Sequence, residues 1–431
     1  MKGNRERIKY ALRCPVAILG DGVSGRAAAR LARSLGSEVE IYDEAGAPFG
    51  PLEAERAKVV VTSPGFSRRH PWLEMARGAG CAVVGELDFA SASWPGEIIA
   101  VTGSNGKTTV TEFLTKVLRE DGTEAVAAGN VGHPLSLAAL ECSSPEAVAV
   151  CEVSSFQAES LELFRPSSVL WTSFSEDHLD RHVDLHEYFE AKANLARRTS
   201  PDRLFLGEGV SDAAALLGRP YLKGFQGSLQ RDRSQRGVPM GSPFRVGPQR
   251  GNYELVRSFC RDRGLKDEIV ERVARNFSLP KHRFSKPIVI GDISFWNDSK
   301  ATNFGATIAA CGSFTKKALW IGGGQSKGGD LEAFCQRMKK MVRGVYLIGS
   351  SGPAMQRIFA RMGTPVRVFA TVGEAVKAAF KKAGSKADVL FSPGFSSYDQ
   401  FSNFEDRGKC FENVVLDLKK LGEQSNRPIM A

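Results

Sequence analysis

Short apolar runs alternate with segments of helical periodicity almost from one end of the sequence to the other. The runs include PVAILG at residues 15–20, KVVVTSP at 58–64 and KKALWIGG at 316–323. Strands that alternate with helices form parallel sheets covered by helices, because a parallel connection needs a crossover. The pattern therefore predicts an α/β protein.

Breaks in this alternation divide the chain into three predicted domains. Its 431 residues are about three times the length of a typical single domain. A Rossmann-like N-terminal domain over residues 1–93 ends in ASASWPGE, whose Pro and Gly are typical of a linker. A central domain follows over 94–279, and a Rossmann-like C-terminal domain over 280–431. Between about residues 205 and 260 the periodicity is weak, and no elements are predicted there.

Composition excludes several classes of protein. No stretch approaches about 18 uninterrupted apolar residues and the first residues lack a signal-peptide pattern, so we expect a cytoplasmic protein with no membrane partner. The eight cysteines show no CxxC or paired-His spacing, which indicates neither a disulfide framework nor a zinc site. The net charge of +10 fits nucleic acid or anionic small substrates. Because the basic residues are dispersed, we expect no nucleic-acid partner.

The strongest local signal is AVTGSNGKTTVTEFL, in which a strand runs into a glycine loop and then a helix. Glycines let backbone N–H groups face phosphate oxygens, Lys107 adds a positive charge, and the Thr108 hydroxyl can ligate magnesium. A glycine-rich turn capped by threonine is the alternative, but it does not explain the lysine. The central domain is therefore predicted to be P-loop ATPase-like. Its predicted phosphate-binding residues are Gly103, Ser104, Asn105, Gly106, Lys107, Thr108 and Thr109.

A second glycine pattern lies near the N-terminus, where Gly20, Gly22 and Gly25 form GxGxxG after a strand and Asp43 ends the next strand. This pattern alone is compatible with a nicotinamide cofactor, with a nucleotide diphosphate, or with close helix packing and no ligand.

Polar residues follow other strands of the central and C-terminal series. CEVSSFQAE offers Glu152, Ser154 and Gln157, and SFSEDHLDRH offers carboxylates beside His178, a set that suits magnesium. Taken alone, each fragment is more typical of a helix cap or a surface polar cluster. WNDSKATN, GGGQSKGGD and SPGFSSYDQFSNFEDRG in the third domain indicate binding loops, although the last is equally compatible with a long turn.

Taken in order from Gly20 to Gly408, these motifs make the chain similar to the Mur ligase family. The series is TGSNGKTT, GNVGHPL, EVSSFQ, EDHLDRH, a helical lysine at 192, HRF, NDSKATN, GGQSKGGD and SPGFSSYDQFSNFEDRG. The resemblance implies a ligase that moves the γ-phosphoryl group of ATP to the carboxylate of UDP-N-acetylmuramoyl-L-alanine and then adds D-glutamate. It also implies two Mg²⁺ ions, small-molecule partners only, a monomer, and a place in peptidoglycan precursor synthesis, which serves cell shape and division.

The resemblance also implies roles for single residues. Lys107, His178 and Lys192 would be catalytic, with Lys192 carbamylated by CO₂, and Thr108, Glu152, His178 and the carbamate would hold the metals. ATP contacts beyond the glycine loop would be Asn252, Arg283, Asp298 and Lys300. The uridine nucleotide would meet Val23, Ser24, Asp43, Asn130, Ser154 and Gln157. D-Glutamate would meet Thr302, Lys327, Ser397 and Phe404.

One segment departs from the family pattern. VGPQRGNYEL keeps Asn252 but has Gly251 where the family has His and Leu255 where it has a second Asn, so no adenine contact beyond Asn252 is predicted in this segment. Three rival functions are a ligase for another acceptor such as a folate polyglutamate synthase, a nicotinamide-dependent dehydrogenase, and a non-catalytic nucleotide-binding relative. The GxGxxG domain argues against the first of these, and the phosphate loop argues against the second. The third is disfavoured by the intact Lys107, His178 and Lys192.

Overall fold

The structure is a computed structural model and describes residues 14–218, 237–245, 247–284 and 287–425. The chain divides into two compact units, which are described separately. The first comprises Met1–Phe174, His186–Asp232 and Glu254–Val273, and the second comprises Ser175–Leu185, Arg233–Tyr253 and Ala274–Ala431.

The first unit begins with a four-stranded parallel sheet in the order β2-β1-β3-β4. Its strands are β1 (Val16–Leu19), β2 (Val39–Tyr42), β3 (Val59–Thr62) and β4 (Ala82–Gly85), and its helices are α1 (Val23–Ser34), α2 (Pro51–Arg56), α3 (Pro71–Gly78) and α4 (Glu86–Ser91). Each strand is followed by a helix, as parallel pairing requires.

A second sheet in this unit has five parallel strands in the order β6-β7-β5-β8-β9. The strands are β5 (Glu97–Thr102), β6 (Ala125–Gly129), β7 (Val148–Glu152), β8 (Ser168–Ser173) and β9 (Leu204–Glu208). The helices are α5 (Lys107–Glu120), α6 (Leu135–Glu141), α7 (Ser155–Ala158), α8 (Leu185–Ala196) and α9 (Val210–Leu216). The central strand β5 is buried from Ile98 to Val101, which is typical of a parallel sheet covered on both faces.

The second unit holds a six-stranded sheet in the order β10-β11-β15-β12-β13-β14. The strands are β10 (Ile288–Ile290), β11 (Ile293–Asn297), β12 (Ala318–Gly323), β13 (Val342–Ile348), β14 (Val366–Val368) and β15 (Asp388–Phe391). The helices are α12 (Phe304–Cys311), α13 (Leu331–Met341), α14 (Gly352–Arg361), α15 (Val372–Lys382) and α16 (Phe404–Ser425). Helices α10 (Gln249–Asp262) and α11 (Asp267–Asn276) precede them in the chain.

The antiparallel pairing of β10 with β11 is a departure from the predicted parallel series. The two strands are joined by only Gly291 and Asp292, and Gly291 has a φ of +55°. A two-residue turn of this kind reverses the chain, and glycine at its first position adopts that φ without strain.

The predicted class is confirmed: the fold is α/β, and the three predicted strand series correspond to three separate sheets. The weakly periodic region contains β9, α9 and α10 where it is described, and residues 219–236 and 246 of it lie outside the described part of the chain. None of the helices in the described ranges combines the length and apolar character needed to cross a lipid bilayer.

Candidate active site

The glycine loop between β5 and α5 has the strand–loop–helix arrangement predicted from the sequence. Gly103 has a φ of +145°, and a β-carbon there would lie 2.0 Å from Thr172 Oγ1. Ser104 N donates to the Ser173 carbonyl and Asn105 N donates to Ser173 Oγ, both at 2.9 Å. The carboxyl end of β8 therefore holds the loop in place, and only glycine fits at position 103.

Two lysine ammonium groups meet the loop at one atom. Lys107 Nζ donates to the Gly103 carbonyl oxygen at 2.9 Å and to the Ser104 carbonyl oxygen at 3.2 Å. Lys192, which α8 presents and which is only 1% exposed, donates to the same Gly103 oxygen at 3.0 Å. The structure thus brings together two of the three residues predicted to be catalytic.

Tyr188, one turn before Lys192 on α8, is a site residue that the sequence analysis missed. Its hydroxyl donates to Ser104 Oγ at 3.0 Å, and Lys192 Nζ lies 4.8 Å from the centre of its ring. The i, i+4 spacing of the two residues on one helix face was the available signal.

Glu152 ends β7, which is adjacent to β5, and is 2% exposed. Its Oε1 accepts a hydrogen bond from Asn130 Nδ2 at 2.9 Å, whereas its Oε2 is buried and has no hydrogen-bond partner among the described residues. Burial of a carboxylate oxygen without a partner costs free energy of folding unless a cation or a hydrogen-bond donor binds to that oxygen. Glu152 therefore fits the magnesium role, and Thr108 is the second residue of helix α5, which follows the adjacent strand β5.

The pair Ser154 and Gln157 forms a capping box at the start of α7. Ser154 Oγ accepts from Gln157 N at 3.2 Å, and Gln157 Oε1 accepts from Ser154 N at 3.0 Å. Gln157 also lines a cavity of the first unit together with Phe66 and Arg68. The helix-cap interpretation of this motif is confirmed, and its contact with substrate stays a prediction.

The Asp43 carboxylate accepts hydrogen bonds from two main-chain N–H groups, one of which belongs to the N-terminal glycine loop. Its Oδ2 accepts from Asp21 N at 2.8 Å and its Oδ1 from Ala45 N at 3.0 Å, and these N–H groups lower the pKa of the Asp43 carboxyl. Val23 is 77% exposed and Ser24 is half-buried at the start of α1. The three residues predicted to meet the uridine end thus lie around the carboxyl ends of β1 and β2.

In the second unit, Asp298 follows β11 and is buried, and burial raises the pKa of its carboxyl to about 7. Ser392 Oγ donates to Asp298 Oδ2 at 2.8 Å. The Lys300 ammonium lies 4.8 Å from the centre of the Phe404 ring, a cation–π contact between a predicted ATP residue and a predicted D-glutamate residue.

The segment that departs from the family pattern has its own buried amide pair. Asn252 Nδ2 donates to Gln249 Oε1 at 2.9 Å, and Gln249 Nε2 donates to the Arg283 carbonyl oxygen at 3.5 Å. The structure therefore groups the predicted residues Asn252 and Arg283 around Gln249, which the sequence analysis had not singled out.

A small cavity of the second unit contains two of the four residues predicted for D-glutamate. Thr302 and Lys327 line it, with Lys327 Nζ 3.5 Å from Thr302 Oγ1. Its other lining residues include Glu176, Asp177, Asn303 and Phe304. Ser397, which is buried, and Phe404 do not line this cavity.

His178, the third residue predicted to be catalytic, follows Asp177 in the second unit. Its φ is +54°, and its Nε2 lies 3.6 Å from Asp177 Oδ2. A left-handed conformation is uncommon for a residue with a side chain and often marks a functional position.

Arg407 is a further residue that the sequence analysis did not select. It is 1% exposed and donates to the Ser299 and Phe395 carbonyl oxygens at 2.8 and 3.0 Å, to the Ser396 carbonyl at 3.2 Å and to Ser299 Oγ at 3.1 Å. Burial lowers the pKa of its guanidinium to about 10. The available sequence signal for Arg407 was its place as a charged residue within the motif SPGFSSYDQFSNFEDRG.

Comparison with known proteins assigns the chain to a family. Residues 101–210 match the family model described as Mur ligase middle domain, and residues 282–395 match the one described as Mur ligase, glutamate ligase domain. A UDP-N-acetylmuramoylalanine--D-glutamate ligase from Caldanaerobacter subterraneus is 30% identical, over 94% of this chain and 98% of that protein. One of the same name from Desulfotalea psychrophila is 33% identical, over 95% of this chain and 97% of that protein.

The chain belongs to the Mur ligase family. The MurF ligase from Thermotoga maritima, solved in complex with ADP, has the same fold, with a TM-score of 0.57 and 16% identity over 86% of this chain and 97% of that one. The Mur ligase fold has three domains, and the three sheets of this Mur ligase agree with that architecture.

Proposed function

We propose that this Mur ligase joins D-glutamate to UDP-N-acetylmuramoyl-L-alanine with ATP as the energy source. The observation that carries this proposal is the match over more than nine-tenths of both chains to ligases named for that reaction. The phosphate loop and the two lysines at Gly103 support the ATP-dependent part of it.

In the proposed reaction, the γ-phosphoryl group of ATP passes to the substrate carboxylate and the amine of D-glutamate then displaces phosphate from the acyl phosphate. Stabilisation of developing charge is the main task in such a reaction. Lys107, at the N-terminus of α5, would exchange its two carbonyl contacts for phosphate oxygens. Thr109 and the loop N–H groups other than those of Ser104 and Asn105, which donate to Ser173, would complete the cradle.

The residues present fit magnesium. Thr108 and the unpartnered oxygen of Glu152 would hold one ion, and we propose His178 as a ligand of a second one. Within the described residues, no group of three or more His, Cys, Asp or Glu side chains could hold a metal by itself, so phosphate oxygens would complete the coordination. Bound magnesium would neutralise charge on those phosphates.

We propose that the Lys192 amine, in its neutral form, adds CO₂ and releases a proton to give a carbamate. Lys107 and Lys192 share one acceptor in a buried site, so two ammonium groups there would repel each other. A carbamate replaces one positive charge by a negative one next to the proposed metal ligands, which removes that repulsion.

The remaining proposed contacts follow from the family resemblance. Val23, Ser24 and Asp43 would bind the uridine end of the nucleotide substrate, Ser154 and Gln157 its muramoyl end, and Asn130 the nucleotide or the reaction intermediate. Asn252, Arg283, Asp298 and Lys300 would contact ATP, and Thr302, Lys327, Ser397 and Phe404 would receive D-glutamate. The boundaries 1–93, 94–279 and 280–431 are proposed for the three domains, and the enzyme is proposed to be a cytoplasmic monomer.

A single assay tests the function. Release of ADP is measured with ATP and magnesium present, first without the uridine nucleotide, then without D-glutamate, and then with both. Sustained release is expected only with both, because the acyl phosphate forms on one substrate and is consumed by the other. Equal release without the uridine nucleotide would identify a generic ATPase.

A further inference from the structure

The carboxylate of Asp177 makes contacts in the second unit that the proposed function leaves unused. Asp177 lies in the segment Ser175–Leu185, and its side chain is only 6% exposed. Its Oδ2 accepts from Asn303 Nδ2 at 2.8 Å, and its Oδ1 accepts from the Lys327 ammonium at 3.4 Å and from His178 N at 2.9 Å.

These contacts join two separate loops. Asn303 caps α12, since its Oδ1 accepts from Ala306 N at 2.8 Å, and Asn303 directly follows Thr302. Lys327 belongs to the loop after β12. Asp177 therefore links the two loops that carry the hydroxyl and the ammonium lining the cavity.

Lys327 is held loosely enough to take a ligand. Its contacts with Asp177 Oδ1 at 3.4 Å and with Thr302 Oγ1 at 3.5 Å are both long, and its side chain is 21% exposed. An ammonium has three donors, so it can keep these contacts and pair with an incoming carboxylate.

We propose that Asp177 is a positioning residue for amino-acid selection, which holds the Lys327 ammonium beside the Thr302 hydroxyl so that the two groups receive the side-chain carboxylate of the amino-acid substrate. This inference rests on the proposed function. Asp177 does not bind that carboxylate itself, because like charges repel and its own oxygens already accept from Asn303, Lys327 and His178.

The test is a double-mutant cycle in the full-length enzyme. Asp177→Asn keeps the shape and removes the charge, and Lys327→Met removes the positioned group. The Michaelis constant for D-glutamate is expected to rise at least about fivefold in Asp177→Asn. In the Lys327→Met background the same change should have an effect below about twofold, because the group that Asp177 positions is gone. The constants for ATP and the uridine nucleotide should change less than about twofold.

The control is Asp292→Asn, the same charge change at an exposed turn of the second unit, which should leave all three constants unchanged. If the effect of Asp177→Asn persists in full in the Lys327→Met background, the proposal is overturned. Asp177 would then act through His178 or through the stability of the fold, and not through Lys327. An unchanged constant for D-glutamate would also overturn the proposal. If instead the wild-type enzyme releases ADP without any need for D-glutamate, it is the proposed function that fails.

Discussion

The ammonium groups of Lys107 and Lys192 share one acceptor, the carbonyl oxygen of Gly103, at 2.9 and 3.0 Å. Lys107 begins the helix after the glycine loop, while Lys192 lies near the end of α8. A phosphate that approaches this loop therefore meets the charged ends of two side chains from separate helices. The two lysines are expected to behave differently on substitution, because only Lys192 is proposed to become an anion.

Replacement of Lys107 by alanine removes the charge that is proposed to face the transferring phosphoryl group. Turnover should fall by about 100-fold or more, as expected for the loss of one preorganised stabilising group. Lys116→Ala, an exposed position on the same helix, is the control. Steady-state ADP release measures both, and wild-type turnover in Lys107→Ala would refute the phosphate-loop assignment.

Replacement of Lys192 by alanine should give a nearly inactive enzyme that small carboxylates such as acetate partly rescue. The rescue is expected because a carboxylate can occupy the space of the carbamate and supply its negative charge. Rates are measured with increasing acetate, with chloride at equal ionic strength as the control. Full activity of the alanine variant in CO₂-depleted buffer would show that Lys192 has only a structural role.

Replacement of Lys327 by methionine keeps the aliphatic stem and deletes the charge. A charge-assisted contact contributes roughly 1.5 to 3 kcal/mol, so the Michaelis constant for D-glutamate should rise about 10- to 150-fold. The constant for the uridine nucleotide should change little. Lys316→Met, at an exposed position, is the control, and no change in either constant would mean that Lys327 is not a substrate contact.

Asp298 should make stability depend on pH in a direction set by its burial. Burial raises the pKa of this carboxyl from 3.8 to about 7, against the opposing influence of Arg283 and Lys300. The folded state thus holds the proton more tightly than the unfolded state. The contribution of Asp298 to the free energy of unfolding is therefore present in full below about pH 4 and is lost as the pH rises through about 7. The loss amounts to about 4 kcal/mol at most.

The measurement is the thermal midpoint of Asp298→Asn and wild type between pH 5 and 8.5. The asparagine variant cannot ionise at this position, so its midpoint should fall less with rising pH than that of the wild type. Parallel curves for the two proteins would show that Asp298 does not titrate in this range.

The regular parts of the fold could be predicted from the sequence because they depend on local patterns. β5 and α5 occupy 97–102 and 107–120, which are the ranges that the apolar run and the helical periodicity indicate. The β10–β11 hairpin was missed although its two-residue turn, Gly291 and Asp292 between two apolar runs, is a local hairpin signal. The contacts of Asp177 with Asn303 and Lys327 span 126 and 150 residues, and no local pattern reports such distances along the chain.

Arg407 reaches the loop at residues 395–396 only through main-chain carbonyl oxygens. A carbonyl oxygen is the same atom whichever side chain follows it, so these two hydrogen bonds by themselves leave the side chains at 395 and 396 free to differ, and it is burial in the core that constrains the Phe395 ring. Position 407 has no such freedom, because lysine lacks the forked donors that reach several carbonyls at once. These hydrogen bonds therefore place their sequence requirement on one arginine outside the loop and not on the loop residues that they hold.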